Sequence, residues 1–168
     1  VTRLLSCDPG GKPGYALLDC TALAPRRLSA GATLQLPLVV GVWGACPSRL
    51  DFDIAVTELQ WLHGATATAK KRAVLTLAPR AGWQLCMMCR AGATPHAHRP
   101  QEWRAALGIQ PRVEKAVVAA RVEHSLLAAE LALVAASRLP PGRLLDVYDA
   151  IAIGWADFLR PRSWEIPP

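Results

Sequence analysis

The chain has 168 residues, 52% of them hydrophobic and 19% charged, with a formal charge of +6 and a pI near 9.4. That is enough chain and apolar content for one domain with a real core, and it excludes a disordered polymer. No apolar run approaches the roughly 20 residues that span a bilayer, and the basic balance favours a polyanionic partner.

In chain order, residues 2–8 read as a buried strand, followed by a tight turn through Pro9, Gly10, Gly11, Pro13 and Gly14. Residues 15–19 give a second strand and so a hairpin. Partial alternation of Leu28, Ala30, Ala32, Leu34 and Leu36 predicts a third strand over 27–36, completing an antiparallel meander. Residues 37–47 read as a loop or a short helix, and 53–58 as a fourth, apolar strand. From Thr66 the period turns helical through Val74, Leu75, Leu77, Leu85, Met87 and Met88, with Pro79 and Gly82 dividing the run. A short strand is predicted over 94–98. A helix follows from Pro100 to residue 107, with Glu102 in its first turn and Gly108 as its stop. A long helix is expected over 112–136, with Val113, Val117, Ala120, Leu127, Leu131 and Val134 on one stripe. A connector over 138–143 leads to a last helix over 146–159, ended by Pro161. This order predicts a single α/β domain, 1–168, with a mixed sheet.

Four carboxylates stand at element ends. Asp8 closes the first strand, Glu58 closes the fourth, and Asp146 and Asp149 are three apart at the start of the last helix and share a face. Each has a local alternative. Asp8 before Pro9 and Gly10 is a turn residue, and Asp146 and Asp149 suit a helix N-terminus. Glu58 is different, because a carboxylate ending an apolar strand is costly when buried without a cation. Gathered together, the four make an acidic hole for hard divalent ions, Mg²⁺ or Mn²⁺. Two such ions about 4 Å apart activate a water and stabilise the leaving oxygen of a phosphodiester. On a basic protein that points to a nuclease. Asp51, Asp53 and Asp157 read as structural; Asp157 lies about 12 Å along the helix from Asp149 at 1.5 Å per residue.

Arg26, Arg27, Lys70, Lys71, Arg72, Arg99, Arg104, Arg112 and Lys115 are spread between the acidic positions, as a broad phosphate-contacting surface would be. Trp61 is either core packing or a platform for base stacking. Five cysteines, an odd count with no secretory signal at the start, suggest reduced intracellular thiols, with Cys7 as core filler. Cys86 and Cys89 with His96 and His98 have the composition of a zinc site. The two cysteines fall in an apolar, helical stretch with Met87 and Met88, which reads instead as core or dimer interface. His96 and His98, two apart on a strand, share a face, and one is a candidate for the groove that takes DNA. His124 falls on the apolar stripe of the long helix and reads as packed.

These motifs, in this order, resemble the RuvC family of Holliday junction resolvases within the ribonuclease H-like superfamily. The likeness runs over nearly the whole chain. Asp8-Pro9-Gly10 with Gly14-Tyr15 is similar to the family's first motif, and Glu58 with Trp61 to its second. Ala91 to Pro95, then Arg99 to Arg104, resemble the central segment. Val113-Glu114-Lys115 resembles a segment in which a lysine follows a glycine-containing loop, and Asp146 to Gly154 resembles the terminal motif. The resemblance implies a mixed five-stranded sheet, an antiparallel meander of three strands plus parallel strands, flanked by helices. It implies a homodimer that cuts four-way DNA junctions by paired symmetric incisions in the cytoplasm of a bacterial or phage-infected cell. It also implies metal ligands at Asp8, Glu58, Asp146 and Asp149 for two ions per site, Lys115 beside the scissile phosphate, and Trp61 at the junction bases. The chain departs from the family in a short first turn, a short segment before Glu58 and the absence of a second glycine between Gly108 and Arg112, as a divergent, phage-type member would. The alternatives are a related nuclease acting on RNA–DNA hybrids or flaps, and a junction-binding or zinc-stabilised module without catalysis.

Overall fold

The structure is a computed structural model that describes residues 3–9, 14–19, 36–42, 52–59, 81–82, 86, 92–126 and 128–159. Its strands are β1 (Arg3–Asp8), β2 (Gly14–Asp19), β3 (Leu36–Val42), β4 (Ile54–Glu58) and β5 (Thr94–His98), joined in one sheet of order β3-β2-β1-β4-β5. The helices are α1 (Pro100–Ala106), α2 (Lys115–Ser125), α3 (Ala128–Ala136) and α4 (Pro141–Leu159). β1 pairs antiparallel with β2 and parallel with β4, and β4 pairs parallel with β5. No helix among the described residues is long and apolar enough to cross a membrane.

The two-residue period of the strands sorts side chains to two faces. Leu4, Ala16, Leu18 and Val56 join the large core beneath α4, whereas Leu5, Cys7, Leu17, Ala55 and Ala93 form a separate cluster. Asp8 is in phase with Leu4, and Glu58 with Val56. The last parallel rung is Cys7↔Thr57, so both carboxylates emerge just beyond it. They lie on the face covered by α4, at the carboxyl ends of neighbouring parallel strands, where open α/β sheets place their ligands. His96 and His98 pair with Val56 and Glu58 and so share this face.

α4 is the helix that completes the site. Residues 147–157 of it are all buried, against β1 and β2 on one side and α1 and α2 on the other. Small residues let it lie close to the sheet. A Cβ on Gly154 would strike Leu18 and Ser6, and one on Gly14 of β2 would strike the backbone of Asp146 and Val147. Gly14 therefore sets the height of the helix turn that carries Asp146. Gly14→Ala is expected to cost about 1–3 kcal/mol as an overpacked contact, and to slow any reaction that uses Asp146. Thermal unfolding reads the first effect; an unchanged melting temperature would mean that the helix yields freely.

Three expectations are corrected. Leu36–Val42 is a strand, in the segment read as loop or short helix; the strand expected over 27–36 lies, apart from Leu36, outside the described residues. Proline is uncommon inside a sheet, but among the described residues β3 ends the sheet order and pairs with β2 only, and an edge strand tolerates proline. The helix predicted over 112–136 is two helices, because Leu126 leaves the helical region at φ −78° and ψ 145°. Over α2 the predicted stripe is rotated, with Val117 53% exposed while Val118, Ala119 and Val122 are buried; Val113, Leu131 and Val134 of the same stripe do reach the core. Alanines and valines fill every position from 116 to 120, so apolar period alone could not choose between adjacent stripes. His124 is exposed as a result. The last helix begins at Pro141 rather than at residue 146, with proline at its first position, where the missing N–H is not needed.

Candidate active site

Asp8, Glu58, Asp146, Asp149 and Lys115 come together at one end of α4. Lys115, the first residue of α2, is at the centre. Its Nζ lies 2.8 Å from Asp8 Oδ2, 3.0 Å from Asp149 Oδ2 and 3.1 Å from Asp146 Oδ1. Asp8 and Glu58 are each 7% exposed and Asp149 3%, so three of the four carboxylates are withdrawn from water. Asp146 lies nearer the surface, and Arg143 Nη1, one helix turn earlier, stands 3.4 Å from its Oδ2. The indole Nε1 of buried Trp103 on α1 donates to Glu58 Oε2 at 2.6 Å.

The electrostatics follow from burial. Asp8 is pushed up to about 7 by burial, with the Asp149 and Glu58 charges adding to the rise and Lys115 opposing it. Glu58 is raised by burial and by Asp149, against the Trp103 hydrogen bond and the charges of Lys115 and Arg104. Asp149 is raised by burial and by Asp146, against Lys115 and Arg104. Burial alone would lower Lys115, but the charges of Asp8 and Asp149 and hydrogen bonds to both hold it far above the ordinary lysine range. The pocket is short of positive charge.

That shortage bears on metal binding. Among the described residues no group of three or more His, Cys, Asp or Glu is arranged to hold an ion; the carboxylates converge on the Lys115 ammonium instead. The donor chemistry still fits a hard divalent cation. All four groups are carboxylates, and Asp149 Oδ1 is a buried acceptor with no hydrogen-bond partner among the described residues. Lys115 stands where a stronger cation would compete.

Trp103 lies within the segment Arg99 to Arg104, and its donor to Glu58 gives it a role at the site. Trp103→Phe removes a hydrogen bond to a charged acceptor and is expected to cost about 1.5–3 kcal/mol. Because Trp103 holds Glu58 down, the variant's deficit should widen as pH rises through the glutamate titration. Unfolding in EDTA across pH reads this; a deficit constant with pH would assign Trp103 to packing alone.

The other expected residues are divided. Arg99, at the start of α1, and Arg112, in the loop before α2, are exposed. Arg104 is half-buried. Its Nη1 donates to Pro111 O at 2.6 Å and Val113 O at 3.4 Å, and its guanidinium stacks on Trp103. Trp61, Lys70, Lys71, Arg72 and Cys89 lie outside the described residues, and Cys86 is exposed. His96 and His98 do share a face, but neither lines a groove. His96 Nδ1 and His98 Nε2 each lie 2.7 Å from an oxygen of Asp157, and all three residues are buried. Burial alone would raise Asp157, but the two histidine hydrogen bonds outweigh it and lower the carboxyl. This clamp ties β5 to the last turns of α4. The strand parity of the histidines was legible, but their acceptor on another element was not.

No protein-family model matches the chain, and no curated protein matches it significantly. Solved structures do. The chain is similar to a structure of RuvC from Thermus thermophilus, at 17% identity and a TM-score of 0.54, over 94% of both chains. It is also similar to T. thermophilus RuvC in complex with a Holliday junction substrate, at 18% identity and a TM-score of 0.56, again over 94% of both chains. The chain has the RuvC-like fold: an α/β, ribonuclease H-like arrangement of a mixed sheet flanked by helices.

Proposed function

We propose that this chain is a metal-dependent endonuclease that resolves four-way DNA junctions, acting as a homodimer that makes paired symmetric cuts. The observation that carries this reading is the buried cluster of Asp8, Glu58 and Asp149, with Asp146 at its rim and Lys115 at its centre, on a RuvC-like fold. Asp8, Glu58, Asp146 and Asp149 are the residues that would hold two Mg²⁺ or Mn²⁺ ions. When bound, such ions supply a nucleophilic hydroxide and neutralise the leaving 3′ oxygen.

The chain's own residues do the rest. Burial of Asp8, Glu58 and Asp149 keeps bulk water from screening their charges. Trp103 fixes one oxygen of Glu58 and so the direction of the other. Lys115, whose ammonium stands among these carboxylates, would neutralise the scissile phosphate. Arg99 and Arg112, with Lys70, Lys71 and Arg72, take neighbouring phosphates, and Trp61 stacks on junction bases. One site cuts one strand, so symmetric resolution requires two copies related by a twofold axis.

Cleavage of an end-labelled four-way junction, against linear duplex and an RNA–DNA hybrid of the same sequence, tests the reading. Paired nicks on the junction alone, dependent on Mg²⁺ or Mn²⁺ and lost in EDTA, are expected. Preferred cutting of the hybrid would move the chain to another ribonuclease H-like activity. Tight junction binding without cutting under any metal would make it a binding module.

A further inference from the structure

The sheet supplies Asp8 and Glu58, and α4 supplies Asp146 and Asp149. Lys115 comes from neither. It begins α2, after the loop 107–114, and sits in the cluster only if that loop is held at the right distance from the sheet. The contacts that hold it start at Glu58. Trp103 Nε1 donates to Glu58 Oε2, and the guanidinium of the next residue, Arg104, lies over the indole with its centre 5.1 Å from the ring centroid. The same guanidinium donates through Nη1 to the carbonyls of Pro111 and Val113, the latter two residues before Lys115. The backbone closes the loop from the other side: Ile109 N–H donates to Arg104 O at 2.8 Å, and Val113 N–H to Gln110 O at 3.4 Å. Gly108, at φ 66°, provides the left-handed turn that lets the chain double back over α1.

We propose that Arg104 is a positioning residue that couples two parts of the active site, setting the Lys115 ammonium relative to the Glu58 carboxylate through Trp103 on one side and the Pro111–Val113 carbonyls on the other. This rests on the nuclease reading above and deepens it. The guanidinium suits the task. Its charge lies over the indole while its Nη1 donates to the loop, and a lysine ammonium offers a point charge without the fixed fork of donors. Arg104 Nε is buried without a hydrogen-bond partner, so the group is placed for its stack and its Nη1 contacts at the expense of one donor. A residue that served mainly to grip DNA would present its edge to solvent instead.

The test uses Arg104→Met, which keeps the stem without the charge, and Arg104→Lys, which keeps the charge without the plane. Amide hydrogen exchange of residues 112–115 is measured in the free protein. Junction affinity is measured in EDTA, and the single-turnover cutting rate at saturating protein with Mg²⁺. In Arg104→Met, exchange over 112–115 should rise about tenfold as the loop loses its staple. The cutting rate should fall about ten- to a hundredfold from misplacement of Lys115, with junction affinity within about twofold of the parent; no more than one phosphate contact is then at stake. Arg104→Lys should recover only part of the rate. Weaker junction binding with an unchanged saturated rate would overturn the proposal and make Arg104 a phosphate contact. Full activity of Arg104→Lys would also overturn it, by showing that charge alone suffices. If the parent protein cuts no junction, the nuclease reading fails while the exchange measurement still decides whether Arg104 holds the Lys115 loop.

Discussion

Asp8→Asn should cut junctions at least about a thousandfold more slowly than the parent, and yet be the more stable protein when metal is absent. The first effect follows from removing the carboxylate best placed between strand and helix. Several kcal/mol of transition-state charge stabilisation depend on the ions it would help to hold, and each 1.36 kcal/mol is a factor of ten. The second follows from burial. Asp8 titrates at about 7 in the folded protein against 3.8 for an ordinary aspartate. Between those values the folded state holds more protons than the unfolded state, so the stability of the metal-free protein falls as pH rises through the window. The full shift corresponds to about 4 kcal/mol as an upper figure. Asparagine is neutral throughout and removes this dependence. Unfolding in EDTA should therefore show the parent losing stability from about pH 4 to 7, and Asp8→Asn losing much less. Added Mg²⁺ should restore the parent and leave the variant nearly unmoved. A variant less stable than the parent at all pH values, with or without metal, would reduce Asp8 to an ion-pair partner of Lys115. Junction binding in EDTA should be unchanged or tighter, since a negative charge beside phosphate is lost.

The same physics explains what was legible in the sequence. Asp8 and Glu58 are costly residues at the ends of apolar strands, and that much was legible; the face they share with Leu4 and Val56 is buried under α4 only in the folded chain. Asp146 and Asp149 share a helix face by their spacing. Nothing local could add Lys115, which is 107 residues from Asp8 in the chain; only the family resemblance singled it out. The partners of Trp103 and Arg104 within the fold were illegible for a similar reason. An indole donor and a guanidinium show their partners only once α1 packs against α4, Trp103 reaches Glu58 and the loop folds back. Asp157 was correctly read as structural and too far along α4 to join Asp149, but that distance is what brings it to His96 and His98. The errors of element placement also have local causes. A proline hid the edge strand β3, and a run of alanine and valine blurred both the break at Leu126 and the buried stripe of α2.

Lys115→Met should separate the lysine from the carboxylates by moving two observables in opposite directions. In the metal-free protein the ammonium is the cation shared by Asp8, Asp146 and Asp149. Methionine keeps the stem and removes the charge. Asp8 and Asp149, already raised, should rise further, so stability at neutral pH falls; with the Lys115 side chain 45% exposed, solvent screening limits the loss to about 1–2 kcal/mol. A divalent ion entering the parent must compete with this ammonium, and in the variant it need not. The Mg²⁺ concentration that half-maximally raises the melting temperature should therefore drop. Cutting at saturating metal should nonetheless slow by about a hundredfold, as when a preorganised group facing developing charge is removed. Asp8→Asn and Asp149→Asn lose both metal affinity and cutting, so tighter metal with slower cutting belongs to the lysine alone. Weaker Mg²⁺ binding in Lys115→Met would mean that the ammonium organises the carboxylates rather than competing for them. Cutting at the parental rate would mean that it never faces the phosphate.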